Sequence, residues 1–118
     1  MMSLGKIGEE LAKNYLSKNG HTILEQNYKV PFGEIDLISE KDHCLCFVEV
    51  KARKSISSGL PEESITIFKK KKIIQVAQCY LKKHHIIDKK MRFDVISIQF
   101  DQHRLKEIRH IINAFSVE

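Results

Sequence analysis

No apolar run in this chain approaches the roughly 20 residues a helix needs to cross a bilayer, so no membrane-spanning segment is expected. Cysteine is scarce. Cys44, Cys46 and Cys79 cannot all pair, which rules out a disulfide framework and predicts reduced thiols in a cytoplasmic protein. The opening Met1-Met2-Ser3-Leu4-Gly5-Lys6 runs straight into charged helical sequence and predicts no secretory signal. A Gly-rich phosphate loop is missing, and so is any Ser/His/Asp or Cys/His nucleophile pattern. Cys44-x-Cys46 beside His43 lacks the second ligand pair a tetrahedral zinc site needs, so these read as core or strand-face thiols. With no repeats, low-complexity tract or internal linker, residues 1–118 read as a single α/β domain.

What is present is an ordinary globular composition with a basic balance. The 118 residues suffice for a core without staples, and 42% hydrophobic with 30% charged residues fits a soluble protein. A net charge of +5, with six histidines uncounted, makes a polyanion a reasonable partner.

Leu4, Ile7, Leu11, Tyr15 and Leu16 recur at helical spacing and predict a first helix over 4–18, stopped at Gly20. Glu9 lies at the edge of that apolar stripe, where a solvated glutamate is the plain reading. Residues 21–28 read as a strand. Residues 33–39 and 44–53 read as a hairpin around the polar turn Glu40-Lys41-Asp42-His43. Ser55–Pro61 is the most loop-like stretch. A second helix is expected over 66–84, then strands over 92–100 and 104–110, with Ile111–Phe115 docking on the core. Arg92 and Asp94 read as an ion pair supporting the sheet. His84-His85 falls at a helix C-terminus, where positive charge is favourable.

Two segments stand out: Gly33-Glu34-Ile35-Asp36-Leu37-Ile38 and Phe47-Val48-Glu49-Val50-Lys51-Ala52-Arg53. Both put acids inside runs that read as buried strand, where a carboxylate must be paired, neutralised or metal-bound. Strand alternation puts Glu34 with Asp36, and Glu49 with Lys51. An antiparallel register with Asp36 opposite Glu49 or Phe47 brings the charged groups together. Two carboxylates about 4 Å apart repel by roughly 4 kcal/mol at an effective dielectric near 20. Mg²⁺ relieves that, since it takes one or two carboxylates and keeps waters and phosphate oxygens for the rest. The alternative is a structural Glu49–Lys51 or Asp36–Lys51 ion pair, and the residues alone leave both open.

These motifs resemble the YraN family, also called UPF0102. The likeness runs through Gly5, Gly8-Glu9, Ala12, Gly20, Asn27, the two acidic motifs, Lys72, Ala77, Arg92-Phe93-Asp94-Val95 and Asn113-Ala114-Phe115. The resemblance implies a restriction endonuclease-like fold, a central mixed sheet flanked by helices, akin to Holliday-junction resolvases. It implies Mg²⁺- or Mn²⁺-dependent cleavage of nucleic-acid phosphodiesters, DNA rather than RNA, of branched or structured form. Asp36 and Glu49 would be the metal carboxylates, Lys51 the catalytic lysine and Glu9 an added acid from the first helix. Arg53, Lys54 and Lys72 are the expected phosphate contacts, while Glu34 and Gln75 stay open. The other class of reading is a nucleic-acid-binding module of repair or processing with little catalysis of its own. A short chain without a separate recognition domain suggests a homodimer or a protein partner.

Overall fold

The computed structural model describes residues 2–54, 65–102 and 104–117. In chain order the elements are α1 (Leu4–Lys18), β1 (Thr22–Val30), β2 (Gly33–Lys41), β3 (Cys44–Arg53), α2 (Ile67–Lys83), β4 (Lys90–Asp101) and β5 (Arg104–Phe115). The strands form one sheet in the order β1-β2-β3-β4-β5. Among the described residues only β3 and β4 run parallel, joined by the crossover that carries α2; the other pairs are antiparallel. The expected α/β class and mixed sheet flanked by helices are both present. No described helix is long and apolar enough to cross a membrane.

Both helices are capped by hydroxyls. Ser3 Oγ accepts from the Lys6 N–H at 3.2 Å, and Thr66 Oγ1 from the Lys69 N–H at 3.0 Å. The helices cover different halves of the core. Ala12 and Leu16 of α1 pack with Leu37, Cys46, Val48, Ile96, Ile98 and Phe100. On α2, Ile73, Val76, Ala77 and Tyr80 pack with Ile38, Leu45, Phe47 and Phe93. There the register partners Phe47 and Phe93 stack at 5.6 Å between ring centroids, and Phe93 stacks on Phe115 at 5.0 Å. The expected docking of Phe115 is therefore seen.

Element ends differ from expectation for local reasons. The β2–β3 turn has two residues rather than four, since Lys41 pairs with Cys44 and both Asp42 (φ 50°) and His43 (φ 62°) are left-handed, as a tight hairpin requires. The last strand does not stop at His110 but continues to Phe115. Its pairing with β4 shifts between Phe93 and Val95, and Asn113 sits at φ 56° with its N–H on Asp94 Oδ1 at 3.0 Å. A carboxylate thus takes the place of a ladder acceptor, which hydrophobic periodicity does not reveal. The expected loop at Ser55–Pro61 lies outside the described residues.

Candidate active site at the end of the central hairpin

The β2–β3 register runs from Lys41↔Cys44 to Leu37↔Val48. One step further, Asp36 comes opposite Glu49, and a side chain replaces backbone pairing: the Val50 N–H donates to Asp36 Oδ2 at 2.8 Å. The neighbouring apolar residues dictate this placement. Leu37 and Val48 are locked into the core under α1, and Ile38 and Phe47 into the core under α2. A one-residue slip would send each of the four to the opposite core, where it does not fit, and the register that packs them brings the two acids together.

Glu49 is only 5% exposed. Asp36 is partly buried and shares a side-chain hydrogen bond with Glu49. Burial, then the Glu49 charge and hydrogen bond, pushes the Asp36 carboxyl up to about 8; the Val50 N–H opposes this, and Glu9 adds to it. Raised that far, the Asp36 carboxyl keeps its proton at neutral pH.

Glu9 reaches the neighbourhood because α1 lies tight against β3. A Cβ added at buried Gly8 would stand 3.0 Å from the Ala52 Cβ. Glu9 is also 3.8 Å from the Lys6 ammonium, so it serves a surface pair as well as adding negative charge toward Asp36.

The cation that meets the acids is not the expected one. Lys69 Nζ lies 3.0 Å from Glu49 Oε2. Burial pulls the Lys69 ammonium down, and the hydrogen bond and charge of Glu49 outweigh it, so the ammonium is held above its ordinary range. Lys51, two residues beyond Glu49 and on its side of β3, forms no ion pair within 4.0 Å among the described residues. Neither the Glu49–Lys51 nor the Asp36–Lys51 pair is made. Nothing within the run Lys69-Lys70-Lys71-Lys72 singles out Lys69, since it wraps a full helical turn and such a run is usually a solvated face. The available signal was Thr66, an N-cap that makes Lys69 the third residue of α2.

Glu34 is exposed, and its charge is felt by Lys69. Arg53 is half-buried at the end of β3, and its Nη1 is buried with no hydrogen-bond partner among the described residues. Lys54 is exposed. Lys72 Nζ lies over the rings of Phe32 and Phe68, at 5.8 and 5.4 Å from their centroids. Gln75 is exposed on α2. Cys46 is a core thiol pushed up to about 12 by burial, and Cys44 is half-buried, in line with inert thiols.

A second polar cluster is structural. Asp94 is fully buried and accepts from Arg92 Nε at 3.0 Å, His110 Nε2 at 2.8 Å and the Asn113 N–H at 3.0 Å. Burial alone would raise its carboxyl, and these donors hold it below the ordinary range instead. Beside it His21 Nδ1 meets Ser39 Oγ at 2.9 Å, and burial lowers His21. The Arg92–Asp94 pair stands as expected, while His110 and Asn113 join it only through folding.

Residues 8–98 match the family described as Uncharacterised protein family UPF0102. A UPF0102 protein of Caldanaerobacter subterraneus is 41% identical over 96% of this chain and 94% of its own length. One from Clostridioides difficile is 45% identical over 94% of this chain and 95% of its own. Among solved structures, Pyrococcus furiosus SfsA in complex with Ca²⁺ matches 97% of this chain and 64% of its own, at 12% identity and a TM-score of 0.35, a distant likeness from which no property of this chain follows. The sequence relatives extend over nearly the whole chain and the family match takes in both acidic motifs: this chain belongs to the UPF0102 family.

Proposed function

We propose that this protein is a metal-dependent nuclease of restriction endonuclease-like architecture, hydrolysing phosphodiester bonds of DNA in the cytoplasm. The observation that carries the reading is the Asp36–Glu49 contact, two acids forced together where β2 and β3 part company. Such a pair is a liability without a cation and a fitting donor set for a hard one. Mg²⁺ or Mn²⁺ would be held by Asp36 and Glu49, in keeping with a preference for few carboxylates plus water and phosphate oxygen. The bound ion would supply an acidified water and charge stabilisation at the phosphate.

The remaining roles fall to this chain's own groups. The Val50 N–H fixes the rotamer of Asp36. Lys51 offers an ammonium with no ion pair among the described residues, on the Glu49 side of β3 and suited to orient the attacking water or to neutralise phosphate charge. Glu9 adds negative charge from α1. The buried Arg53 Nη1 has no acceptor among the described residues, a phosphate oxygen would provide one, and Lys54 lies next to it in the chain.

One observation favours the non-catalytic alternative. Lys69 already neutralises Glu49, so the site balances part of its charge without a metal. Thermal melts decide between the two, using wild type and Asp36→Asn, each in EDTA and in Mg²⁺. The nuclease reading expects a rise in wild-type Tm with Mg²⁺ that Asp36→Asn abolishes, together with Mg²⁺-dependent cutting of linear, flapped or four-way-junction DNA. No metal effect on the wild type and no cutting would leave a binding module.

A further inference from the structure

Exposed side chains around the start of α2 carry a feature that acid-pair chemistry does not use. Phe68 is 71% exposed and Ile67 72%, both in the first turn of α2; Phe32, at the β1–β2 turn, is 43% exposed. Single exposed hydrophobes are ordinary, but these two phenylalanines come from different elements and share one cation. Lys72 Nζ is the common neighbour of both rings. Phe68 and Lys72 are four apart on α2, so their contact follows from helical spacing. Phe32 is brought there by close packing at Gly33, where an added Cβ would stand 3.1 Å from Val76 Cγ2.

The rings are tied to the acid pair by short covalent links. Phe68 precedes Lys69, whose ammonium is 3.0 Å from Glu49 Oε2. Phe32 precedes Gly33, at the start of the strand that carries Asp36. Solvent-facing aromatic rings interleaved with lysines are what single-stranded nucleic acid requires. Each base offers a face for stacking, and the intervening phosphates need positive charge. A protein partner or a second copy would favour a continuous apolar patch without charge at its centre.

We propose that Phe32 and Phe68, bridged by Lys72, form a stacking platform for unpaired nucleobases beside the acid pair, which makes the substrate a nucleic acid with single-stranded character such as a flap, gap or junction arm. The substrate part of this inference rests on the nuclease reading; the binding part does not. Lys72 serves phosphates at the platform, and Lys69 links it to the acids.

The test uses fluorescence anisotropy in EDTA, so that no cutting occurs, with labelled oligothymidylate and a mixed-sequence duplex of equal length. Wild type should prefer the single strand. Phe68→Ala and Phe32→Ala should each weaken oligothymidylate binding by roughly 5- to 100-fold and duplex binding by less than about two-fold, given the usual size of base–aromatic stacking. The chain contains no tryptophan, so Phe68→Trp supplies a sole reporter. It should keep single-strand affinity and be quenched on binding. Both rings are solvent-facing, and unchanged melting curves would verify that the variants fold. Equal losses on both probes, no loss, or an unquenched tryptophan overturns the platform. So does a wild-type dimer that Phe68→Ala dissociates without changing DNA affinity, which would make the face a self-association surface. Platform binding with no Mg²⁺-dependent cutting of any DNA defeats the nuclease reading and leaves the platform standing. Duplex cutting that survives Phe68→Ala unchanged, with no single-strand preference, defeats the platform alone.

Discussion

Asp94 is a fully buried and Asp36 a partly buried carboxyl of one sheet, and their surroundings move them in opposite directions. Asp36 is raised from 3.8 to about 8 because burial and Glu49 disfavour its charge. The folded chain then keeps a proton that the unfolded chain loses near pH 4. Asp36 therefore stabilises the fold fully below about pH 4, and that contribution is lost as pH rises through about 8. We expect the metal-free protein to lose stability across this window at up to ~1.4 kcal/mol per pH unit. In Asp36→Asn, where the amide replaces the protonated acid, the slope should vanish, so the variant should match the wild type near pH 4 and be the more stable of the two at pH 7. Urea unfolding at several pH values in EDTA measures it; an unchanged slope in the variant would remove Asp36 as its source. Asp94 is lowered by its donors, so its contribution is present above about pH 4 and is lost as pH falls through its depressed folded value. Asp94→Ala should cost about 3–5 kcal/mol at pH 7, because it removes a fully buried acceptor and leaves the partly buried Arg92 and His110 without it. Equilibrium denaturation gives that number directly.

Among the elements, α2 matters more than its amphipathic pattern suggests. Ile73, Val76, Ala77 and Tyr80 recur at helical spacing as its core face, yet its first turn also supplies the cation on Glu49. Thr66→Ala should cost about 1 kcal/mol through the lost cap and leave the Lys69–Glu49 contact less well held. Lys69→Met should destabilise by about 1–3 kcal/mol in EDTA, since Glu49 is left buried without its donor. It should also tighten Mg²⁺ binding, because the ion no longer competes with an ammonium. Calorimetric Mg²⁺ titration reads the second effect, and weaker binding in Lys69→Met would show that the lysine supports the site instead of competing for it. Helix α1 depends on Gly8. Gly8→Ala gains up to about 1 kcal/mol of helix propensity but sets two Cβ atoms 3.0 Å apart against the backbone of β3. Overpacking of about 1–3 kcal/mol should win, giving a net loss in the melt.

At the scale of the molecule, charge decides association. A net charge of +5 favours polyanions, and the proposed function assigns phosphate contacts to Arg53, Lys54 and Lys72. DNA affinity should fall steeply with salt, with a log–log slope of roughly −0.9 per phosphate neutralised. Arg53→Ala should flatten that slope by about one unit and weaken all sequences alike. Anisotropy titrations at a series of salt concentrations test this, and salt-independent binding, or none at low salt, would count against nucleic acid as the partner.

Periodicity and strand alternation were enough to place both helices, the central hairpin and the two acidic motifs, since each is a local pattern that water enforces residue by residue. The need for Asp36 and Glu49 to find an explanation was also plain in the chain, because burying a carboxylate carries a cost whatever the fold. Which cation meets them was not. Lys51 shares a strand face with Glu49, but Lys69 arrives from a helix whose approach is set by core packing and by a threonine cap. The Asp94 cluster likewise joins Arg92, His110 and Asn113 across a register shift that no hydrophobic pattern encodes. The pairing of Phe32 with Phe68 around Lys72 depends on how closely α2 settles over Gly33. Local composition determined the elements and the presence of stranded acids; long-range packing alone chose their partners, because contacts between residues far apart in the chain depend on how whole elements dock.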